Sequence, residues 1–300
     1  KGTDFRCLSR KPMPCRDSLV VDLADKSALT AACSGIDAIF HCAGHAHAFA
    51  SLSGSDAALH WQVNFAGTRN LVEAAGAAGV KRFVFLSSVK AMAEPGECCA
   101  DEDFPGRPAT AYGQAKRAAE EVVVDAGRRY GMHVVNLRLA MVYGSGGRGN
   151  LERMGRLVER GLFPPLPETG NRRSLVHVDD VVAVMRLVAD DDRANGKAYV
   201  VASSEAPSGR ELFDALRSTL GMRRCSWAVP GWMLRTVAIG AGEAQRREDA
   251  ERLALAWAEI EEKARGARVP NDGELHRHRL PEDVQAQTST SESLCTGRAA

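Results

Sequence analysis

Tyr112 and Lys116 stand four residues apart in Tyr112-Gly113-Gln114-Ala115-Lys116, and two serines, Ser87 and Ser88, end the apolar run Arg82-Phe83-Val84-Phe85-Leu86 upstream. A spacing of four puts Tyr112 and Lys116 on one face of a helix. A tyrosine hydroxyl, with an ordinary pKa of about 10, becomes a usable acid or base when a nearby cation favours its phenolate. A serine at a strand end can hydrogen-bond the substrate oxygen that gains or loses the proton. Together these are parts for hydride chemistry at an alcohol or sugar carbon. Tyr112 is then the acid and base, Lys116 the cation beside it, and Ser88 the group that orients the oxygen. Tyr-x-x-x-Lys also occurs by chance at exposed helix starts. The weight of the reading therefore rests on the serine strand and on the rhythm of elements around it.

That rhythm is regular over the first half of the chain. Residues 82–88 form a short apolar run of β-formers, as a buried parallel strand requires, and a helical pattern runs from Tyr112 to Tyr130. Residues 5–10 and 19–23 read as strands, Asp25 can cap a short helix reaching Cys33, and the strand at 37–42 stops at Ala43-Gly44. A long helical pattern covers 56–78, and 133–139 is the next strand. Alternating strands and helices predict an α/β fold with a doubly wound parallel sheet. Ligands of such sheets bind at the carboxyl ends of the strands, where Asp22, Gly44, Ser88 and Tyr143 fall. After Ser145 the rhythm loosens into a helix at 150–160, a proline-rich stretch at 163–167, a strand at 197–202 and a helix opened by a Ser208–Glu211 capping box. This predicts three regions: 1–144 as the cofactor-binding domain, 145–240 as a smaller lobe over the cleft, and 241–300. In the last, 244–265 reads as a charge-dense surface helix, and the polar chain after Val269 reads as disordered.

The bulk properties exclude several classes. The 300 residues carry a formal net charge of +1, so nucleic acid and anionic membrane surfaces are not expected partners. Apolar runs are strand-sized, no signal-peptide pattern opens the chain, and a soluble, cytoplasmic protein is expected. The eight cysteines (7, 15, 33, 42, 98, 99, 225, 295) show neither Cys-x-x-Cys nor zinc spacing. His41, His45 and His47 cluster around Gly44 without partnered ligands, so no metal is expected, and a loop lining the cofactor cleft is the better reading. The segment 97–103, with its paired cysteines and acids, reads as a solvated loop.

The motifs taken together resemble the NAD-dependent epimerase/dehydratase family of extended short-chain dehydrogenase/reductases, which includes UDP-glucose 4-epimerases. The likeness covers roughly residues 5–220. It implies a Rossmann-like fold, Ser88, Tyr112 and Lys116 as catalytic residues, and a nucleotide-sugar substrate. Asp22-Leu23 resembles the adenosine-binding pair, and Cys42-Ala43-Gly44 resembles the apolar-Ala-Gly turn beside pyrophosphate and ribose. Asn64, in Asn64-Phe65-Ala66-Gly67-Thr68, matches the helix asparagine of the family. By the same likeness Arg10, Ser87 and Leu139 fall at cofactor positions, while Asn150 and Arg173 match positions that hold the sugar diphosphate. The implied reaction transiently oxidises C4 of the sugar by hydride transfer to NAD, with Tyr112 handling the hydroxyl proton. Val89-Lys90 after Ser88 departs from the Asp-Glu pair expected of a 4,6-dehydratase. The helices at 56–78 and 112–130 correspond to those that dimerise family members, so a homodimer is expected.

Three features depart from the family. The chain opens at what corresponds to the second strand, without the Gly-x-x-Gly-x-x-Gly turn that holds pyrophosphate at a helix N-terminus. The piece in question is roughly 25–30 residues, most of a βαβ unit. An N-terminally truncated chain with weakened cofactor binding is the expectation. Ser9-Arg10-Lys11 stands where NAD-binding members often carry an acid, so NADP stays possible beside NAD. Leu139 and Met141 replace residues that many 4-epimerases use near nicotinamide and sugar. An NAD(P)-dependent reductase of a non-sugar ketone, or a non-catalytic remnant of the fold, are the alternatives.

Overall fold

The computed structural model describes residues 5–14, 17–45, 54–95, 98–147 and 150–230. The charge-dense stretch and polar tail, together with His47, lie outside them. Residues 1–249 make one compact unit, and the second, 250–300, falls wholly outside the described residues.

Alternation on one strand shows how the layers arise. In β4 (Arg82–Ser88), Phe83 and Phe85 face one side and Val84 the other, all of them buried. β4 lies between β3 (Ala38–His41) and β5 (His133–Leu139), and β8 (Lys197–Val201) follows, giving a parallel sheet of order β3-β4-β5-β8. On the phenylalanine side pack α1 (Lys26–Cys33), α3 (Thr68–Ala77) and α4 (Ala111–Tyr130). On the valine side packs α6 (Val178–Asp190) through Val181 and Val188. Burying an aromatic or branched side chain of this kind contributes about 1.5–3 kcal/mol, so the two apolar layers are what hold the sheet. The chain is α/β with helices on both faces of a parallel sheet.

The remaining parallel strands pair apart from that sheet. β1 (Cys7–Ser9) pairs with β2 (Ser18–Val20), and β6 (Met141–Tyr143) pairs with β7 (Leu175–His177). The expected single sheet is therefore divided. Leu8, Val21 and Ile39 all pack on the cluster under α1 and α3. Shared apolar burial, rather than a hydrogen-bond ladder among the described residues, joins β1 and β2 to the rest. The β6–β7 pair, absent from the sequence reading, starts just past the last rung of the β5–β8 ladder, the Ala140 N–H to Val201 carbonyl bond, where the Met141 N–H turns to the Ser174 carbonyl.

Local signals explain the helix ends. Asp25 accepts from the N–H of Ala28 and starts α1, and Thr110 accepts from that of Gly113 and starts α4. Gly131, at φ 63°, ends α4 in the left-handed conformation. Ser208 and Glu211 form the expected capping box on α7 (Gly209–Thr219). The long helix expected over 56–78 begins as α2 (Gly54–Leu59) and runs through a π-helical stretch, His60–Gly67, into α3. α5 (Asn150–Glu159) completes the helices of the described residues.

Candidate active site

The site forms where β4 ends and α4 begins. Ser88 leaves β4 as the cap of a 3-10 turn, Val89–Ala91, accepting from the N–H of Lys90. The Lys90 carbonyl then runs against Gly113, where a Cβ would lie 2.0 Å from that oxygen. Only the missing side chain at 113 permits this approach. It sets Ser88 beside Tyr112, close enough for the serine hydroxyl to act on the phenol. His60 of the π-helical stretch meets the Tyr112 ring edge-on, 5.4 Å between centroids.

Lys116, one turn on, is 5% exposed. Its ammonium donates to the Leu86 carbonyl at 2.8 Å and lies 4.6 Å from the centre of the Phe85 ring. Burial pulls its pKa down to about 8, against the opposing pull of Glu120 and Cys42. Tyr112 differs from the sequence expectation. Burial raises its pKa, and the force opposing that rise is the Ser88 hydroxyl rather than the charge of Lys116. Depth of burial, which no spacing encodes, decides which effect wins.

Gly44 follows β3 and lies against Lys116. A Cβ there would stand 3.2 Å from the Asn64 amide oxygen and 3.4 Å from the Lys116 ammonium. Asn64 is fully buried, and its side chain clasps His45 at two points, accepting from the N–H at 2.7 Å and donating to the carbonyl at 2.9 Å. His41, on β3, bonds Thr68 at 2.9 Å, and the Thr68 hydroxyl donates to the Asn64 carbonyl at 2.7 Å. The single hydroxyl proton is thereby committed, so His41 donates from Nε2. Burial first, and Lys116 second, hold its pKa down at about 3. Neighbouring Cys42 has its thiol pushed up by burial.

The other sequence candidates are placed more loosely. Asp22 is exposed and turns the chain by accepting from the N–H of Ala24, while Leu23 packs under Gly67 and is held by Asn70. Arg10 lies on an exposed bend after β1, with Ser9 bonded to the Lys11 carbonyl. Leu139 ends β5 opposite Ser88 and packs into the apolar cluster under α6. Asn150 opens α5, and its side chain lies outside the described residues. Arg173 is exposed, its backbone N–H bonded to the Pro207 carbonyl. Ser88, Tyr112, Lys116, Gly44 and Asn64 thus come together, whereas Arg10 and Arg173 stand on separate exposed turns.

Reading the sequence missed several residues of this region. His60 and Thr68 belong to the helix that carries Asn64, and their spacing of four from it was the available signal. The loop read as solvated holds Glu102, whose carboxylate accepts from the N–H of Val200 at 2.7 Å and whose carbonyl accepts from Arg138 at 3.0 Å. Among the described residues no group of three His, Cys, Asp or Glu could hold a metal ion, and no helix is long and apolar enough to cross a membrane.

Comparison with known proteins adds a second line. The model of the NAD dependent epimerase/dehydratase family matches residues 1–202. A UDP-glucose 4-epimerase of Vibrio cholerae is 33% identical over 199 residues, covering 65% of this chain and 60% of that protein. A 2-alkyl-3-oxoalkanoate reductase of Stenotrophomonas maltophilia is 27% identical over 216 residues, covering 69% and 64%. The chain thus spans somewhat under two thirds of the length of these curated relatives. Among solved structures, MoeE5 in complex with UDP-glucose and NAD superposes with a TM-score of 0.63 at 27% identity, covering 73% of this chain and 74% of that one.

Proposed function

The chain belongs to the NAD dependent epimerase/dehydratase family, and from that premise we propose that it binds NAD and epimerises a nucleotide sugar at C4. The observation that carries the proposal is the placement of Ser88, at the end of β4, beside Tyr112, with the buried Lys116 one turn behind. The likeness to a UDP-glucose 4-epimerase and to a structure holding UDP-glucose and NAD supports the sugar class.

The residues present suit the cofactor. The backbone at Gly44 carries no side chain and runs past the Lys116 ammonium, which is suited to a ribose hydroxyl, while the buried Asn64 amide fixes the turn at His45. Asp22 and Leu23 would hold the adenosine end, and Arg10 is the residue that would favour a 2′-phosphate if NADP were taken instead. NAD, when bound, supplies the acceptor and donor of hydride. Tyr112 takes the proton of the sugar 4-hydroxyl and later returns it, and Ser88 holds that oxygen. Burial raises the pKa of Tyr112 and the neighbouring Ser88 hydroxyl opposes the rise, so the base form that takes the sugar proton is the phenolate, which Ser88 favours. Asn150 and Arg173 are the proposed partners of the diphosphate, for which a guanidinium supplies charge and paired donors. A homodimer through α4 and the helices at 54–77, in the cytoplasm, completes the proposal.

The test is conversion of UDP-glucose to UDP-galactose in the presence of NAD, followed by proton NMR of the anomeric signals. Tyr112→Phe should unfold at the same temperature as the parent and lose about 10²- to 10⁴-fold in turnover. No conversion of any nucleoside-diphosphate sugar by the parent chain would overturn the sugar assignment. The likeness to a 2-alkyl-3-oxoalkanoate reductase favours the second reading, reduction of a non-sugar ketone. It would show as consumption of reduced nicotinamide on addition of a 3-oxo acid.

A further inference from the structure

A buried ionic cluster lies beside the site and touches none of its reacting groups. Ser87 donates to the Glu120 carboxylate at 2.5 Å. Arg138 grips the same carboxylate in a fork, its Nη2 at 2.9 Å from one oxygen and its Nε at 3.1 Å from the other. Asn136 donates to the Glu120 carbonyl at 3.3 Å. Ser87, Glu120 and Arg138 are all 5% exposed or less. Each is tied to a site residue by the chain itself. Ser87 precedes Ser88, Glu120 follows Lys116 by one turn of α4, and Arg138 pairs with Ser87 across the β4–β5 ladder.

We propose that Glu120 is a positioning residue for the Tyr112–Lys116 pair: locked by Ser87 and Arg138, its carboxylate is the fixed countercharge of the Lys116 ammonium and ties α4 to the ends of β4 and β5. A buried carboxylate this well bonded cannot swing toward or away from Lys116, so the field it exerts is constant. Besides Glu120, the buried charge of this region is the Arg138 guanidinium on β5, which is held in the fork on Glu120 and offsets part of its field. From β3 and the turn after it come His41, neutral near pH 7, and Cys42, which acts on Lys116 in the same sense as Glu120 but less strongly. Phe85 and the Leu86 carbonyl come from β4, Asn64 from the π-helical stretch, and Tyr112 from α4 itself. Glu120 is the group whose charge most strongly opposes the loss of the Lys116 proton. A neutral lysine could not favour a tyrosine phenolate, so this countercharge bears directly on the proton chemistry assigned to Tyr112 above, on which the inference rests.

The experiment is titration of the Lys116 ammonium by NMR of the lysine ε-carbon and ζ-nitrogen, on the full chain and on Glu120→Gln, with Lys116→Met used for assignment. Glutamine keeps the size and one acceptor but removes the charge. The Lys116 midpoint, about 8 in the parent, should fall by about 1 pH unit or more, the usual effect of losing a close opposite charge. Glu120→Asp draws the charge back by one methylene and should shift the midpoint in the same direction by less, which keeps a readout if the glutamine variant does not fold. An unmoved midpoint in either folded variant overturns the inference. The titration needs no turnover. If the midpoint moves but no variant or parent converts a nucleotide sugar, the function proposed above fails and the countercharge stands. If both hold, the alkaline limb of the rate–pH profile should move with the Lys116 midpoint.

Discussion

Helix α4 carries two arginine–carboxylate clusters, and they differ in what surrounds them. At its middle Glu120 meets Arg138 with side chains 4% and 5% exposed; near its end Arg129 meets Glu73 and Asp125 with side chains 45%, 35% and 62% exposed. In the first, water has been stripped from both ions, and a serine hydroxyl and a bidentate fork replace it. In the second, the Tyr130 hydroxyl also reaches Glu73, but solvent competes for every charge. The same chemistry therefore serves two ends. The buried cluster specifies where α4 sits over β4 and β5, and the exposed one follows from where α3 and α4 already lie.

The comparison is broken most severely at its buried end. Glu120→Ala leaves the Arg138 guanidinium uncompensated in the core, which costs about 3–5 kcal/mol in urea unfolding. Next comes Gly113→Ala, which must push the Lys90 carbonyl away by more than flexible side-chain movement can supply. A loss of about 1–3 kcal/mol is expected, as for other overpacked sites, with a larger fall in turnover because Ser88 moves too. The buried imidazole gives a pH signature that surface groups lack. His41 stays neutral in the folded chain down to about pH 3, whereas an unfolded imidazole takes its proton near 6.5. Between those values the unfolded chain binds more protons, so stability falls as the pH drops. His41→Gln should flatten that slope in melts taken from pH 7 to pH 4. Glu73→Gln, at the exposed end, should leave the melting temperature within replicate scatter, and any effect should vanish in added salt.

Much of this was legible in the residues, and the rest was hidden for definite reasons. β4, β5 and α4 were plain because their apolar spacing has one period each, and Ser88, Tyr112 and Lys116 fall where those periods change. Asp25, Ser208 and Glu211 announced their helices because caps act over three residues. The buried cluster left a trace, since the arginine inside His133-Val134-Val135-Asn136-Leu137-Arg138-Leu139 required a carboxylate partner, and Glu120 shares the helix face of Lys116. The π-helical stretch left none, because it differs from an α-helix by a hydrogen-bond shift rather than by residue type. The raised pKa of Tyr112 was hidden likewise, being a matter of depth. The separate pairing of β1 with β2 and of β6 with β7 depends on contacts far apart in the chain, which short-range patterning does not contain.

The contact between Lys90 and Gly113 changes how much a short motif can say. A tyrosine and a lysine four apart specify two positions, and any helix start that happens to hold both satisfies them. In this architecture a third position is closed as well, because a backbone oxygen occupies the space of the side chain after the tyrosine. Glycine makes up about 7% of ordinary sequence, so requiring it thins chance matches roughly fourteenfold. The backbone of one turn has written a letter into the next helix, and the signature of the site is Tyr-Gly-x-x-Lys.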